Sequence, residues 1–554
     1  MIKKSRNHYR LISVIPRMIL ILAFLVPLFF SLSKAFLPEG EFTLSLVKEA
    51  FTSQYNLRLL SFTVKESLYS AILSVLIALP GAYLYSNYTF RGKKIILSLA
   101  QLCFVLPSIL VVLGFVIFYG NNGFLNRMLM SLLKSDEPVV KILYSFRAII
   151  LAHAFLNFPV ALSLLTGYWS SLSRTAENAA ATLGAGKLRI FLTITLSRIL
   201  PVLLSAALLI FLYCFTSFSI ILVLGGGPEY TTLEVEIYRT NNIMGQSAKA
   251  SALALYALFF NTILVIIYTL LSKHTRPDEK SGQDRAVRPG VLARTVMVIY
   301  TIALLIFILG PLVSIPARSV WSTSSRYGSG FTLRAYEELF GLRSTVSGLK
   351  DAKTALMNSV IIAGVSALLS TFLALRLALY ITRVRSTLGE VTGMLPMMIS
   401  SVTLALGFSF LRAKLPFRGM MSSLVFIFLA HFVIVLPFAL RTILPVARSI
   451  DERILYAAYT LGAREGKASA TVEKPLLRST LMRAFSFSFA LSMGEMNATM
   501  TLSEGRITTL PLLLYRLINS YNYQGACAVG TVLIVTTLLI FLFAELLGGR
   551  RWKN

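Results

Sequence analysis

The sequence predicts an all-α polytopic membrane protein of about twelve transmembrane helices, arranged as two parallel six-helix repeats. Three observations predict it: an apolar composition, basic residues clustered between long apolar runs, and an internal duplication. Of 554 residues, 56% are hydrophobic and only 14% charged, with a mean hydropathy of +0.73. A soluble domain carries roughly a quarter charged residues. The composition therefore excludes a disordered polymer, a secreted disulfide scaffold and an ordinary cytosolic enzyme. The net charge of +29 comes in short clusters such as Lys3, Lys4, Arg6 and Arg10, then Arg91, Lys93 and Lys94, then Arg383 and Arg385, then Arg550, Arg551 and Lys553. That is the positive-inside distribution. A nucleic-acid binder would gather these residues on one soluble face, so no nucleic-acid partner is expected and the partner of this surface is membrane lipid.

A helix crosses the hydrocarbon core with about 20 apolar residues. Runs of that kind fall near 12–36, 61–85, 95–119, 146–168, 199–224, 248–271, 291–316, 355–381, 391–411, 420–442, 480–502 and 526–547. The first is long and lacks a clear small-x-small cleavage site, so it is read as a retained anchor and not a signal peptide. Pro80-Gly81 and Pro107 inside spans mark kinks or close packing. A basic amino terminus inside places 86–94, 169–198, 273–290, 382–390, 443–479 and the carboxy terminus inside too. The opposite segments are more mixed, as with Glu229, Glu234, Glu236 and Arg239. Loop 412–418, with Arg412, Lys414 and Arg418, is a basic exception on the outer side. Cys103, Cys214 and Cys527 lie in apolar runs, too far apart for a metal motif, and read as small core residues.

The polar linker 273–290 divides six helices from six. The expected organisation is a basic segment, first span and outer cap at 1–60 and a first module at 61–272. A linker, seventh span and outer cap follow at 273–353, then a second module at 354–547 and a basic tail at 548–554. The modules are copies. LAH at 151–153, Pro159 and Ala161-Leu162 recur 278 positions later as LAH at 429–431, Pro437 and Ala439-Leu440. The same offset maps AAATLGA at 179–185 onto AAYTLGA at 457–463 and, after losing one residue, TTLEVEIYR at 231–239 onto TTLPLLLYR at 508–516. An even number of spans per copy makes the repeats parallel, with a pathway expected between the halves.

Before the fifth span of each half lies an inner loop, ENAAATLGAGKLRIFLTITLSRILP at 177–201 and YAAYTLGAREGKASATVEKPLL at 456–477. Each has a small-residue helical stretch, a Gly that permits a sharp turn and a short amphipathic helix suited to docking in another protein's cleft. This pattern resembles the EAA loop of ATP-binding-cassette importer permeases. Asn178 and Tyr456 stand where the motif has Glu, with Glu177 one place early, and Ser197 replaces a Pro that the second loop keeps as Pro475. The resemblance assigns ATPase coupling to Glu177, Ala179, Ala180, Gly184 and Ala185, and to Ala457, Ala458, Gly462, Ala463 and Arg464. Over roughly 60–545, segments such as 104–123, 151–159, 217–238 and 508–515 are similar to the fused two-module permeases of thiamine importers, whose sister group is the ferric-iron permeases. The resemblance implies a type I importer in the bacterial inner membrane, served by two cytoplasmic ATPase subunits and an extracytoplasmic binding protein. No GxxxxGK[ST] occurs; GAGKL at 184–188 lacks the first Gly and the Ser/Thr. ATP hydrolysis is therefore expected in a separate subunit, with no cofactor in this chain.

Glu495 sits within the eleventh span, where a carboxylate is costly unless paired or facing water. It reads either as a pathway group attracting a cationic substrate or as a structural hydrogen-bonding partner; its repeat counterpart region, Ser217-Phe218, is uncharged. His153 and His431 have no carboxylate or Cys at ligand spacing and read as hydrogen-bonded packing residues. Tyr168, Trp169 and Trp321 fall near expected interfaces. Tyr213, Phe215 and Phe218 could contact a cation or simply pack. Gly225–Gly227 with Pro228 is expected to end the fifth span. Two rival classes are a gradient-driven secondary transporter, which needs paired charges deep in its spans, and a membrane enzyme, which needs a catalytic constellation in register. The sequence shows few such charges and no such constellation.

Overall fold

The computed structural model describes residues 2–38, 40–225, 227–272, 287–324, 327–342, 349, 351–416 and 419–548. Most of the expected linker 273–290, nearly all of the tail 548–554, Gly226 and Arg418 lie outside the described residues. Among the described residues ten helices are long and apolar enough to cross a membrane. The pair Leu388–Met398 and Ser401–Lys414, bent by 90°, makes eleven if taken as one span. The remaining expected span falls on Lys474–Met493, a 20-residue helix that carries Lys474, Arg478 and Arg483.

Proline and serine chemistry breaks the third span of each half. Pro107, which has no N–H and a fixed φ, separates helix Lys93–Val105 from helix Ser108–Tyr119. In the second module a 3₁₀ turn at Leu395–Met398 leads to Ser400, whose hydroxyl caps the next helix by accepting from Thr403 N at 3.1 Å.

The second span of each half is its packing axis. Helix Gln54–Asn87 buries Ser67, Ser70, Ala71, Ser74, Ala78 and Ala82 against helix Phe146–Ser171. Small residues let two backbones approach where lipid offers no hydrophobic drive, and Ser67 and Ser74 turn their hydroxyls onto carbonyls four residues back. Helix Ala352–Val384 packs likewise on Met420–Ser449, and Ser370 Oγ donates across to Phe432 O at 3.1 Å. The TTL segments lock onto these axes in the same way. Thr63 Oγ1 accepts from Leu233 N at 3.2 Å, and Ser359 Oγ accepts from Leu510 N at 2.8 Å.

The chain forms two compact units, and neither is contiguous in sequence. One comprises Met1–Ala50, Ile237–Leu255 and Ser319–Asn554; the other comprises Phe51–Glu236 and Tyr256–Arg318. Within the first unit, helix Ile2–Phe36 packs on Ser401–Lys414 and Ala352–Val384. Gly407 lies directly beneath the Pro27 carbonyl, where a side chain would collide. Arg17 Nη1 donates to the Tyr380 hydroxyl at 3.1 Å, with its guanidinium 4.4 Å from that ring's centroid. Within the second unit, helix Val291–Val320 docks by the same device. A Cβ on Gly114 would lie 2.9 Å from Pro311 O, and one on Gly81 would lie 2.5 Å from the Tyr300 hydroxyl. Tyr300 also donates to Ile77 O at 2.8 Å. The opening span of each half thus packs against the module of the other half. In both cases a proline backbone lies over a glycine of the broken third span.

Candidate coupling loops and the break in the fifth span

Both loops before the fifth span adopt one geometry. Helix Thr175–Thr182 ends at Gly184 with φ +83° and helix Glu452–Thr460 ends at Gly462 with φ +81°. In the first loop Ala185 N donates to Ala180 O and Gly184 N to Ala181 O, both at 3.0 Å. In the second, Ala463 N donates to Ala458 O at 3.0 Å and Gly462 N to Tyr459 O at 3.1 Å. This pairing closes the last carbonyls of a helix and needs a left-handed residue. Nothing stands within 4 Å of a Cβ added to either glycine, so backbone conformation and not crowding selects Gly there. A four-residue helix and a π turn follow in each copy, at Lys187–Ile190 with Phe191–Thr195 and at Glu465–Ala468 with Ser469–Glu473. At the tip, Leu183 and its repeat counterpart Leu461 are each 88% exposed. Sequence reasoning named the glycines and alanines and passed over these leucines.

The loops are anchored by polar pairs that differ in sign. In the first module Glu177 Oε1 accepts from Thr195 Oγ1 at 2.9 Å, tying the loop's two arms, and Arg174 Nη2 donates to Asn87 Oδ1 at 3.1 Å. In the second, Glu452 stands at the position of Arg174, Glu473 at that of Thr195, and Arg383 joins both. Its Nε donates to the buried Glu473 at 2.8 Å, and its Nη1 lies 3.8 Å from Glu452. Glu177, the residue displaced from its expected place, therefore has a bracing contact of its own.

The fifth span is interrupted at matching positions. Helix Leu196–Phe215 stops before Thr216 and resumes as Ser219–Leu224. Helix Lys474–Met493 stops before Gly494 and resumes as Asn497–Leu502. The 278-residue offset pairs Ser217 with Glu495 and Cys214 with Ser492. Ser217 and Glu495 are both half-buried. Glu495 Oε1 accepts from Ala498 N at 3.0 Å, capping the resumed helix, and Asn497 Nδ2 donates to Ser401 Oγ at 2.9 Å beside it.

The two LAH histidines brace these breaks. His431 is buried, with Nδ1 2.8 Å from Ser492 Oγ and Nε2 2.9 Å from Thr499 Oγ1, one partner on each side of the break. His153 bonds through Nδ1 to the Glu66 carboxylate and through Nε2, at 2.7 Å, to Ser217 Oγ. The expectation that no carboxylate or Cys stands near the histidines is thereby corrected for His153. Tertiary packing brings Glu66, from the second span, and Cys214 to it, with ligand-type atoms within 4.8 Å of one another. Glu66 and His153 hydrogen-bond directly, and Glu66 Oε1 also accepts from Ser70 Oγ at 2.8 Å. The three side chains are thus of the types that hold a metal ion, and Glu66 and His153 are joined here by a hydrogen bond.

Other sequence expectations resolve in the packing. Phe215, Phe218 and Trp169 are each 1% exposed, so they are packing residues here. Arg412, expected in an outer loop, is buried. It donates to Leu502 O at 3.0 Å and Ser423 Oγ at 2.8 Å and pairs with Glu504, which removes it from the outer-loop charge. Glu234 and Glu236 are likewise buried in helix Leu233–Tyr238.

Residues 70–277, the greater part of one such module, match the profile of the binding-protein-dependent transport system inner membrane component family. That stretch of the chain is similar to the permease components of such systems. The permease is 28% identical over 501 residues to the thiamine transport system permease protein ThiP of Brucella abortus strain 2308, covering 89% of this chain and 88% of that one. It is 27% identical over 503 residues to ThiP of Escherichia coli K12, covering 89% of each. The ferric transport system permease protein FbpB of Actinobacillus pleuropneumoniae is 24% identical over 511 residues, covering 89% of this permease but 72% of FbpB. The permease is a multi-pass protein of the inner membrane.

Proposed function

We propose that the chain forms the translocation path of a binding-protein-dependent importer of thiamine, receiving its cargo from an extracytoplasmic binding protein and its energy from two cytoplasmic ATP-binding-cassette subunits. The observation that carries the ATPase part is the twin loop: two copies of one capped helix, one left-handed glycine and one bare leucine. A leucine 88% exposed at the same place in both copies is a surface made for a partner, since burying such a side chain contributes roughly 1.5–3 kcal/mol. Two equivalent loops call for two equivalent partners. Coupling then runs through Glu177, Ala179, Ala180, Gly184 and Ala185 in one loop and Ala457, Ala458, Gly462, Ala463 and Arg464 in the other.

Thiamine is favoured as cargo because relatives named for its transport match nearly end to end. Glu495, a half-buried carboxylate at the break of the fifth span, suits the cationic thiazolium. A ferric-iron importer is the second reading, favoured by the FbpB match. The test is uptake of labelled thiamine and labelled iron into cells lacking this chain and into cells carrying it. Restoration of thiamine uptake alone is expected; restoration of iron uptake alone would replace the first reading by the second. Retention of an ATPase subunit by the detergent-purified protein is expected in the same preparation, and a gradient-driven transporter would retain none.

A further inference from the structure

We propose that Glu66, His153 and Cys214 form a buried site for a divalent ion of the zinc class, which staples the second, fourth and fifth spans of the first half together. All three residues belong to one compact unit, and the site does not depend on which solute the permease carries. One residue comes from each of helices Gln54–Asn87, Phe146–Ser171 and Leu196–Phe215. Carboxylate oxygen, imidazole nitrogen and thiolate sulfur are the donors zinc takes, and three protein donors with a fourth position open is a common zinc arrangement. Here the three donor atoms lie within 4.8 Å of one another. Bonds of about 2.0–2.3 Å to a tetrahedral zinc hold its donors roughly 3–4 Å apart. An ion is therefore seated by small side-chain shifts once it replaces the proton in the Glu66–His153 hydrogen bond.

The two copies brace their breaks with different chemistry. The register that pairs Thr63 with Ser359, each receiving the backbone N–H of a TTL leucine, pairs Glu66 with Ile362. Cys214 pairs with Ser492 and His153 with His431. In the second copy the imidazole spans the break with Ser492 and Thr499 alone. Bracing therefore requires neither an acid nor a thiol. The first copy has both, each 0% exposed, within spans where an uncompensated carboxylate is costly. A doubly positive ion held by one carboxylate, one thiolate and a neutral imidazole carries no net charge, the thiol proton being released on binding. The surrounding contacts are those that orient metal ligands. Ser70 Oγ donates to Glu66 Oε1 at 2.8 Å and Asn157 Nδ2 to Cys214 Sγ at 3.5 Å. With Nδ1 on the ion, His153 Nε2–H donates to Ser217 Oγ, which stands 2.7 Å away.

Because His153 is 1% and the other two ligands 0% exposed, the ion is captured as the helices assemble and leaves slowly. The test therefore supplies cobalt, a spectroscopically visible substitute for zinc, during growth of the expressing cells. The full-length permease is then purified in detergent through a tag without histidine. A single equivalent of cobalt is expected by elemental analysis, with a thiolate-to-cobalt charge-transfer band in the near ultraviolet. Losing even an outer contact costs about 10–100-fold in metal affinity. Cys214→Ser, which installs the second copy's residue, is therefore expected to abolish the band and lower bound cobalt at least about tenfold. Cys103→Ala with Cys527→Ala is expected to leave both signals unchanged. Zinc supplied in place of cobalt is expected to raise the melting temperature of the parental permease by several degrees and not that of Cys214→Ser. Parental permease that holds no cobalt overturns the proposal. So does a band that survives in Cys214→Ser or disappears with Cys103 and Cys527, and the cluster is then a hydrogen-bonded brace alone.

Discussion

Glu495 and Gly462 show how single residues divide the labour. Glu495 accepts the Ala498 N–H, is also hydrogen-bonded by the Asn497 backbone and the Ser401 hydroxyl, and is half-buried at a helix break. Glu495→Gln keeps an oxygen for the cap and removes the charge. A unit charge about 4 Å away is worth up to roughly 4 kcal/mol near a protein surface. Thiamine uptake at low concentration is therefore expected to fall at least tenfold, with the permease still purifying in normal yield; parental initial rates would leave Glu495 only its capping role. Gly462 holds φ +81° with open space around it. Gly462→Val puts a β-branched residue where L side chains are strained by roughly 1–2 kcal/mol. The expected phenotype is normal insertion with substrate-stimulated ATP hydrolysis and transport both reduced; full stimulation in the reconstituted complex would contradict it. The glycine was legible because both copies keep it between small residues. The Glu66–His153–Ser217 contacts were not, since their members come from three spans far apart in sequence. A carboxylate in the second span was nonetheless a visible signal.

Among the elements, the two loop anchors make the clearest contrast. The second loop is held by an ion pair between buried Arg383 and buried Glu473, the first by hydrogen bonds from Arg174 and Thr195. Breaking a buried pair by removing one partner costs about 3–5 kcal/mol, whereas replacing both by apolar groups of similar size is often neutral. Arg383→Met or Glu473→Gln alone is expected to lower the melting temperature of the purified permease by several degrees. The double variant Arg383→Met, Glu473→Leu should recover most of the loss. Equal losses in single and double variants would show that the pair is not an energetic unit. Element positions were well foreshadowed by apolar runs, because span length is set by the bilayer. Breaks were less so. Pro107 announced one, but nothing in SMGEMN at 492–497 marks a helix end as strongly. The cations of Lys474–Met493 put that helix below the apolar level of the other spans.

For the molecule as a whole, the duplication was readable and the exchange of opening spans was not. A repeat needs only identity in register, whereas the partner of an amphipathic or apolar span leaves no mark in its own sequence. The Pro27–Gly407 and Pro311–Gly114 contacts require each module to wait for a helix encoded in the other half. Halves expressed separately, as 1–272 and 287–554, are expected to be unstable singly. Co-expressed, they should recover transport and co-purify through a tag on either one. A half that purifies alone in a stable form would argue that the exchanged spans are ornamental to folding.

The exchange also sets a clock on biosynthesis. Arg17 and Tyr380 are 363 residues apart, and ribosomes deliver roughly 5–20 residues per second. The amino-terminal helix therefore spends about 20 s to a minute in the bilayer without its seat, exposed to degradation or mispairing until the nascent chain catches up.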